Sequence, residues 1–179
     1  MVQLGLTSDN MRPAIAAVLF VLVFASLAAG QTDKRVGDVR REVAAINSRA
    51  AKYTRTTKDV SGISTEGAEA TLFHSGGEIK KIVARTYGET FKGVTEFYFR
   101  NGKLIFEYDR INRYDTQIGL RRPVKIVRVE QYRSYFDDGK MFRLLLGGKV
   151  IKTGSDEFAE QERSSLEAVK TILEPAETE

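Results

Sequence analysis

Two heptapeptides, Tyr98-Phe99-Arg100-Asn101-Gly102-Lys103-Leu104 and Tyr135-Phe136-Asp137-Asp138-Gly139-Lys140-Met141, constrain this chain more than any other feature. They lie 37 residues apart (135 − 98). Asn-Gly and Asp-Gly accept positive φ at both central positions of a type I′ turn, whose twist matches that of two antiparallel strands. Leu72-Phe73-His74-Ser75-Gly76-Gly77-Glu78-Ile79 is a looser third copy. A hairpin used three times predicts a meander, because parallel neighbours need long crossovers.

Aromatic and β-branched clusters between Gly-containing turns place strands near 69–75, 78–87, 93–100, 103–111, 124–136 and 140–147. Residues 57–68, rich in Thr, Ser and Gly, read as a linker, and 112–123 as a long loop. Upstream, Val36, Val39, Val43, Ile46, Ala50 and Tyr53 step by alternating 3 and 4, which is one narrow apolar stripe on a polar helix over 33–56, capped by Thr32 or Asp33. Downstream, Phe158, Glu162, Leu166, Val169, Ile172 and Leu173 mark the inner face of a helix over 156–173. Ser155 or Asp156 caps it, and Pro175 ends it by disfavouring helical geometry at Glu174. The fold class expected is α+β: an antiparallel meander sheet of about six strands, with an N-terminal helix (31–56) and a C-terminal helix (151–179, including an acidic tail) covering one face of the 69–150 sheet. Residues 33–58 carry net charge +5 and residues 155–179 net −6, so the two helices are expected to attract one another across that face.

The 179 residues include no Cys, no Trp and one His. Disulfide scaffolds, thiolate metal sites, Cys nucleophiles and any constellation of two histidines are excluded. No metal and no cofactor are expected. Residues Ala14 to Ala29 form a sixteen-residue run, apolar or small except at Ser26. That is short for a membrane span of about 20 residues and fits the hydrophobic region of a secretory signal. Cleavage after Gly30 or Ala28 is expected, with Met11-Arg12-Pro13 as the more orthodox start; the alternative is a retained anchor. Residues 1–30 are therefore set aside as a signal peptide, leaving one domain of 149 residues (179 − 30). An exported chain without cysteine points to a bacterial envelope, periplasmic or secreted.

The Tyr-Phe-x-x-Gly-Lys-Leu hairpin, with Lys80-Lys81-Ile82-Val83-Ala84 upstream and Tyr-rich strands around it, resembles uncharacterised exported bacterial β-meander proteins. More distantly, it is similar to the tyrosine- and glycine-rich hairpin repeats of some bacterial antitoxin-like proteins. The resemblance covers about residues 69–147. It implies an envelope location and a repeated-hairpin sheet, and carries no catalytic residues across.

Pairing the central hairpin through its two-residue turn sets Phe99 opposite Leu104, Phe97 opposite Phe106 and Thr95 opposite Tyr108 on one apolar face. The other face then receives Tyr98 with Ile105, Glu96 with Glu107 and Val94 with Asp109. Glu96 and Glu107 become directly opposed carboxylates, a destabilising pair unless Lys81, Arg85 or water offsets it. They are also the one arrangement here from which a carboxylate-based hydrolase is conceivable. His74, opposite Ile79 and alongside Leu72 and Lys81, reads as a surface residue. The better binding candidate is the long loop, with Arg113, Tyr114, Arg121, Arg122 and the flanking Arg110, Lys125 and Arg128. Guanidinium groups bind carboxylate and phosphate bidentately. An envelope protein, an acidic polymer or anionic lipid headgroups suit such a surface; export argues against nucleic acid. The expected function is thus an exported, non-enzymatic binding or inhibitor-like module. A structural or self-associating component, using the helix seam or an exposed sheet edge, is the alternative.

Overall fold

The computed structural model describes residues 12–119 and 123–175, with side chains from residue 31 onward. The chain divides into two units, Met1–Asp38 and Val39–Glu179. The described part of the first is helical and belongs to α1 (Arg12–Arg49). The second contains the end of α1, eight strands and α2 (Asp156–Leu173). Among the described residues no helix is long and apolar enough to cross a membrane.

The strands are β1 (Thr54–Val60), β2 (Ala68–Ser75), β3 (Glu78–Gly88), β4 (Phe91–Arg100), β5 (Lys103–Tyr114), β6 (Ile126–Asp137), β7 (Lys140–Leu146) and β8 (Lys149–Ile151). They form a single antiparallel sheet in chain order, so the fold is an α+β meander. Each repeated hairpin turns on two residues of positive φ: Gly76 and Gly77 (60° and 80°), Asn101 and Gly102 (52° and 73°), and Asp138 and Gly139 (50° and 79°). An ordinary side chain is strained there, which is why Gly, Asn and Asp occupy these positions.

Several expectations need correcting. Residues 54–56, expected as helix, and 57–60, expected as linker, belong to β1; α1 gives way at Ala50–Lys52 to a 3₁₀ turn, and Thr32 and Asp33, expected as caps, lie within α1. β1 pairs with β2 along its whole length, and β8 adds a short strand after β7. The expected loop over 112–123 begins at residue 115, because Asn112, Arg113 and Tyr114 continue β5.

The hairpin register also differs. Phe99 does face Leu104, but Tyr98 faces Phe106, so Ile105 is an extra residue in β5. Beyond this bulge Phe97 opposes Glu107, Glu96 opposes Tyr108, and Thr95 opposes Asp109. One inserted residue moves every later side chain of the strand to the other face. The other two copies do the same. Lys80 is extra between Phe73↔Lys81 and His74↔Ile79, and Phe142 between Tyr135↔Arg143 and Phe136↔Met141. In all three hairpins the bulge is the third residue of the returning strand.

Both sheet faces therefore carry an apolar stripe, and each acquires its own cover. Phe97, Phe99, Leu104, Phe136, Met141 and Leu144 form the main core with Phe158 and Ile172 of α2. Tyr98, Phe106 and Tyr135 lie on the opposite face, stacked in sequence with ring centroids 5.8 and 4.9 Å apart. There they meet the end of α1, where Asn47 Nδ2 donates to Tyr98 Oη (3.0 Å) and Arg40 Nε donates to Tyr135 Oη (3.2 Å). The helices thus cover opposite faces, and the charge attraction expected between them across one face does not arise. In α2 the Ser155 cap forms as expected, accepting from Phe158 N at 3.3 Å. Leu173 is exposed, and Ser165, not anticipated as inward-facing, is buried.

Candidate functional site

The bulge at Ile105 determines what lies beneath α2. After it, Glu107, Asp109, Ile111 and Arg113 all point toward the helix, because alternate residues of a strand share a face. Gln161, Ser165, Ala168 and Ile172 descend toward them at helical spacing. A cleft of about 290 Å³ opens between the two layers, lined among others by Phe91, Thr95, Phe97, Glu107, Asp109, Ile111, Arg113, Glu130, Tyr132, Gln161 and Ser164.

Glu107 is 4% exposed. Its Oε2 accepts from Ser165 Oγ and from Gln161 Nε2 (3.2 Å). Ser134, opposite it on β6, lies near enough to favour the carboxylate, although its hydroxyl lacks hydrogen-bond geometry to any side chain. Burial nonetheless pushes Glu107 above the usual carboxylate range, against the opposing effect of these hydroxyl and amide donors. Asp109, half-buried, accepts from Thr95 Oγ1 at 2.8 Å and is likewise raised, chiefly by burial. Glu130 behaves oppositely. Arg113 donates to it through Nε (3.3 Å, to Oε1) and Nη2 (3.2 Å, to Oε2), Arg128 pairs with the same Oε1, and the Arg113 hydrogen bond holds it below the usual range.

These shifts set a pH dependence. Glu107 and Asp109 bind their protons more tightly folded than unfolded. Stability associated with them is present near their unfolded values, about 4.5 and 3.8, and is lost as pH rises through the folded values. Glu130 works the other way, its contribution disappearing as pH falls below 4.5. Facing the two raised acids are Arg113 on their own strand, Glu130 and Tyr132 on β6, and the uncharged Gln161 and Ser165 of α2. Urea midpoints measured from pH 4.5 upward should therefore fall more steeply for the native chain than for a Glu107→Gln, Asp109→Asn variant. Equal slopes would remove the assignment.

The expected carboxylate pair does not form. Glu96 is on the α1 face and Glu107 on the α2 face, since Phe97, not Glu96, opposes Glu107. The hydrolase built on that pair loses its geometry. Lys81 does serve Glu96 as a counterion, at 3.0 Å. It also donates to Asn47 Oδ1 (3.0 Å) and sits 4.8 Å from the Tyr98 ring centroid. Tyr98 Oη donates to Glu96, and burial first, then this carboxylate, raises the phenol above its ordinary value.

The expected basic-loop surface is divided. Arg113 enters the cleft, stacked 5.5 Å from the Phe91 ring centroid, and shares Glu130 with Arg128. Tyr114 is a strand residue whose N–H donates to Thr90 O at 2.8 Å. The Lys125 backbone is tied to Asp115 twice: Asp115 N donates to Lys125 O (3.0 Å), and Lys125 N donates to the Asp115 side-chain Oδ1 (3.0 Å). Arg121 and Arg122 lie outside the described residues. The loop is tied to the β3–β4 turn by Ile118 N donating to Glu89 O (2.7 Å) and Gln117 Nε2 donating to Glu89 Oε2 (2.6 Å). His74 is a surface residue, its Nε2 2.9 Å from Thr56 Oγ1.

No protein-family description, curated protein or solved structure matches this chain.

Proposed function

We propose that this is an exported, non-enzymatic binding module whose ligand site is the cleft between α2 and the sheet. The observation that carries the reading is the cleft itself: a concave space floored by β4, β5 and β6, roofed by a capped helix, and lined by a mixture of apolar and polar side chains, two of them acids raised by burial. Concave sites are where small ligands bind, and perturbed acids concentrate there. Arg113, expected on the basic loop, belongs to this site as a residue of β5. Export rests on the apolar segment Ala14–Ala29 and the small residues after it.

The test uses Ser164→Trp. Ser164 is an exposed α2 residue at the cleft, so an indole there obstructs the opening without entering the core. Thermal-shift screening of the full chain with small amines, sugars and carboxylates should give compounds that raise Tm. A ligand at 100 times its Kd adds about 2.7 kcal/mol. Ser164→Trp should abolish those shifts. A screen whose binders are all indifferent to Ser164→Trp removes the cleft as the site. N-terminal sequencing of protein recovered from a bacterial periplasm checks export, which predicts a new terminus after Gly30 or Ala28.

A second reading, self-association, is favoured by β1, a seven-residue strand paired only with β2 among the described residues. Its open edge is a template for another chain. Light scattering decides it: a monomer at millimolar concentration excludes the reading.

A further inference from the structure

We infer that the cleft takes a small organic cation, an ammonium carried on one ring or a short apolar chain. The inference rests on the binding-module reading above and names the ligand class of the same site. The cavity makes the site, and its wall chemistry selects the ligand. Glu130 already has two guanidinium partners, Arg113 and Arg128. Glu107 and Asp109 are held by neutral groups instead: Ser165 and Gln161 for the first, Thr95 for the second. Arg113 acts on Asp109 through its charge, but its guanidinium is committed to Glu130. A charged ammonium entering the cleft supplies the counterion that, among the described residues, neither acid has at hydrogen-bond distance. Buried carboxylates gain most from such a partner because little water competes.

The remaining walls suit the body of such a molecule. Tyr132, only partly buried, offers aromatic surface, which attracts a cation at a ring face as well as an apolar group. At about 290 Å³ the space is at the small end of ligand clefts, which run from about 300 to 1,000 Å³, so a single ring fits better than a fused or polymeric ligand. An anion would face the two carboxylates of Glu107 and Asp109, and Arg113 is already engaged by Glu130. A neutral polyol would find acceptors but leave the acids without a counterion.

The probes are benzylamine, benzyl alcohol and benzoate, which share a ring and differ in charge. The full chain, ¹⁵N-labelled, is titrated with each at pH 7.5. Benzylamine is expected to shift the amide resonances of Glu107, Asp109 and Gln161, and to bind at least about tenfold more tightly than benzyl alcohol, a difference of about 1.4 kcal/mol. Asp109→Asn, which retains an acceptor for Thr95, should weaken benzylamine by a similar factor while leaving benzyl alcohol unchanged. Ser164→Trp should block both. Equal binding of benzyl alcohol or benzoate, or an unchanged benzylamine affinity in Asp109→Asn, overturns the cation assignment and leaves the cleft as a site for another ligand class. If no probe moves these resonances, the cation assignment fails. The binding-module reading is then judged separately, by whether the broader screen yields any compound sensitive to Ser164→Trp.

Discussion

Phe136→Ala should lower the unfolding free energy by about 3–5 kcal/mol, the usual range for deleting a fully buried phenyl ring. Phe136 has no exposed surface and belongs to one buried cluster with Met141, Leu144 and the α2 residues Phe158 and Ile172. The ring therefore connects the third hairpin to the helix that roofs the cleft. A domain of ordinary stability has about 5–15 kcal/mol in total, so the variant should sit near its threshold at 37 °C. Urea denaturation checks this: the midpoint should fall with the m-value unchanged. Phe136→Leu, retaining most of the volume, should recover most of the loss. A shift of less than 1 kcal/mol in the alanine variant would mean that the ring is not packed as described.

On the opposite face the largest expected loss is at Glu96. Glu96→Ala removes the carboxylate from Lys81, whose side chain is only 10% exposed. An ammonium stranded in that position is costly, because its desolvation is no longer offset by the ion pair. About 3 kcal/mol is expected, the low end for breaking a buried pair, since Asn47 Oδ1 and the Tyr98 ring still face the ammonium. Adding Lys81→Met to Glu96→Leu should return stability to within about 1 kcal/mol of the native value, because a buried pair replaced by apolar groups of similar volume is often neutral. Chemical denaturation of the single and double variants is the measurement. A double variant no more stable than Glu96→Ala would show that the loss came from packing rather than from an unpaired charge. Removing Glu96 should also bring the Tyr98 phenol down toward its ordinary value, readable by ultraviolet titration, since that carboxylate helps hold it up.

Strand positions were legible because each repeated turn is written in residues that tolerate positive φ, and because the apolar clusters between turns are long. The C-terminal helix was legible to the residue, 156–173, from its Ser cap, its spacing and the proline behind it. β1 was not. Thr54-Arg55-Thr56-Thr57-Lys58-Asp59-Val60 lies at the sheet edge, almost wholly exposed, so no apolar alternation marks it; only its β-branched threonines hint at a strand.

The face assignment failed at one place for one reason. A two-residue turn implies unbroken alternation, and Ile105 breaks it as an extra residue of β5. The apolar pattern carries no sign of it, because both faces are covered and runs such as Phe97-Tyr98-Phe99 are buried on a regular strand. The bulge moves Glu107 away from Glu96 and places it on the same face as Asp109, under the helix. The neutral partners of Glu107, Ser165 and Gln161, had no signal either, because a small polar residue on an amphipathic helix reads as solvent-facing until the opposing strand is known.

The repeated offset has a consequence for how the chain can lengthen. From Tyr98 to Tyr135 the backbone crosses two strands and returns to the same direction, the same side and the same point relative to the next kink. A copied segment of that length, spliced in phase, would widen the sheet by two strands with every aromatic still correctly oriented. Because α1 bridges β4 and β6, and α2 spans from the β5 acids to β7, each added pair of strands would also need its own helical cover. A protein made this way can be resized by whole units only as far as its helices can still roof the sheet.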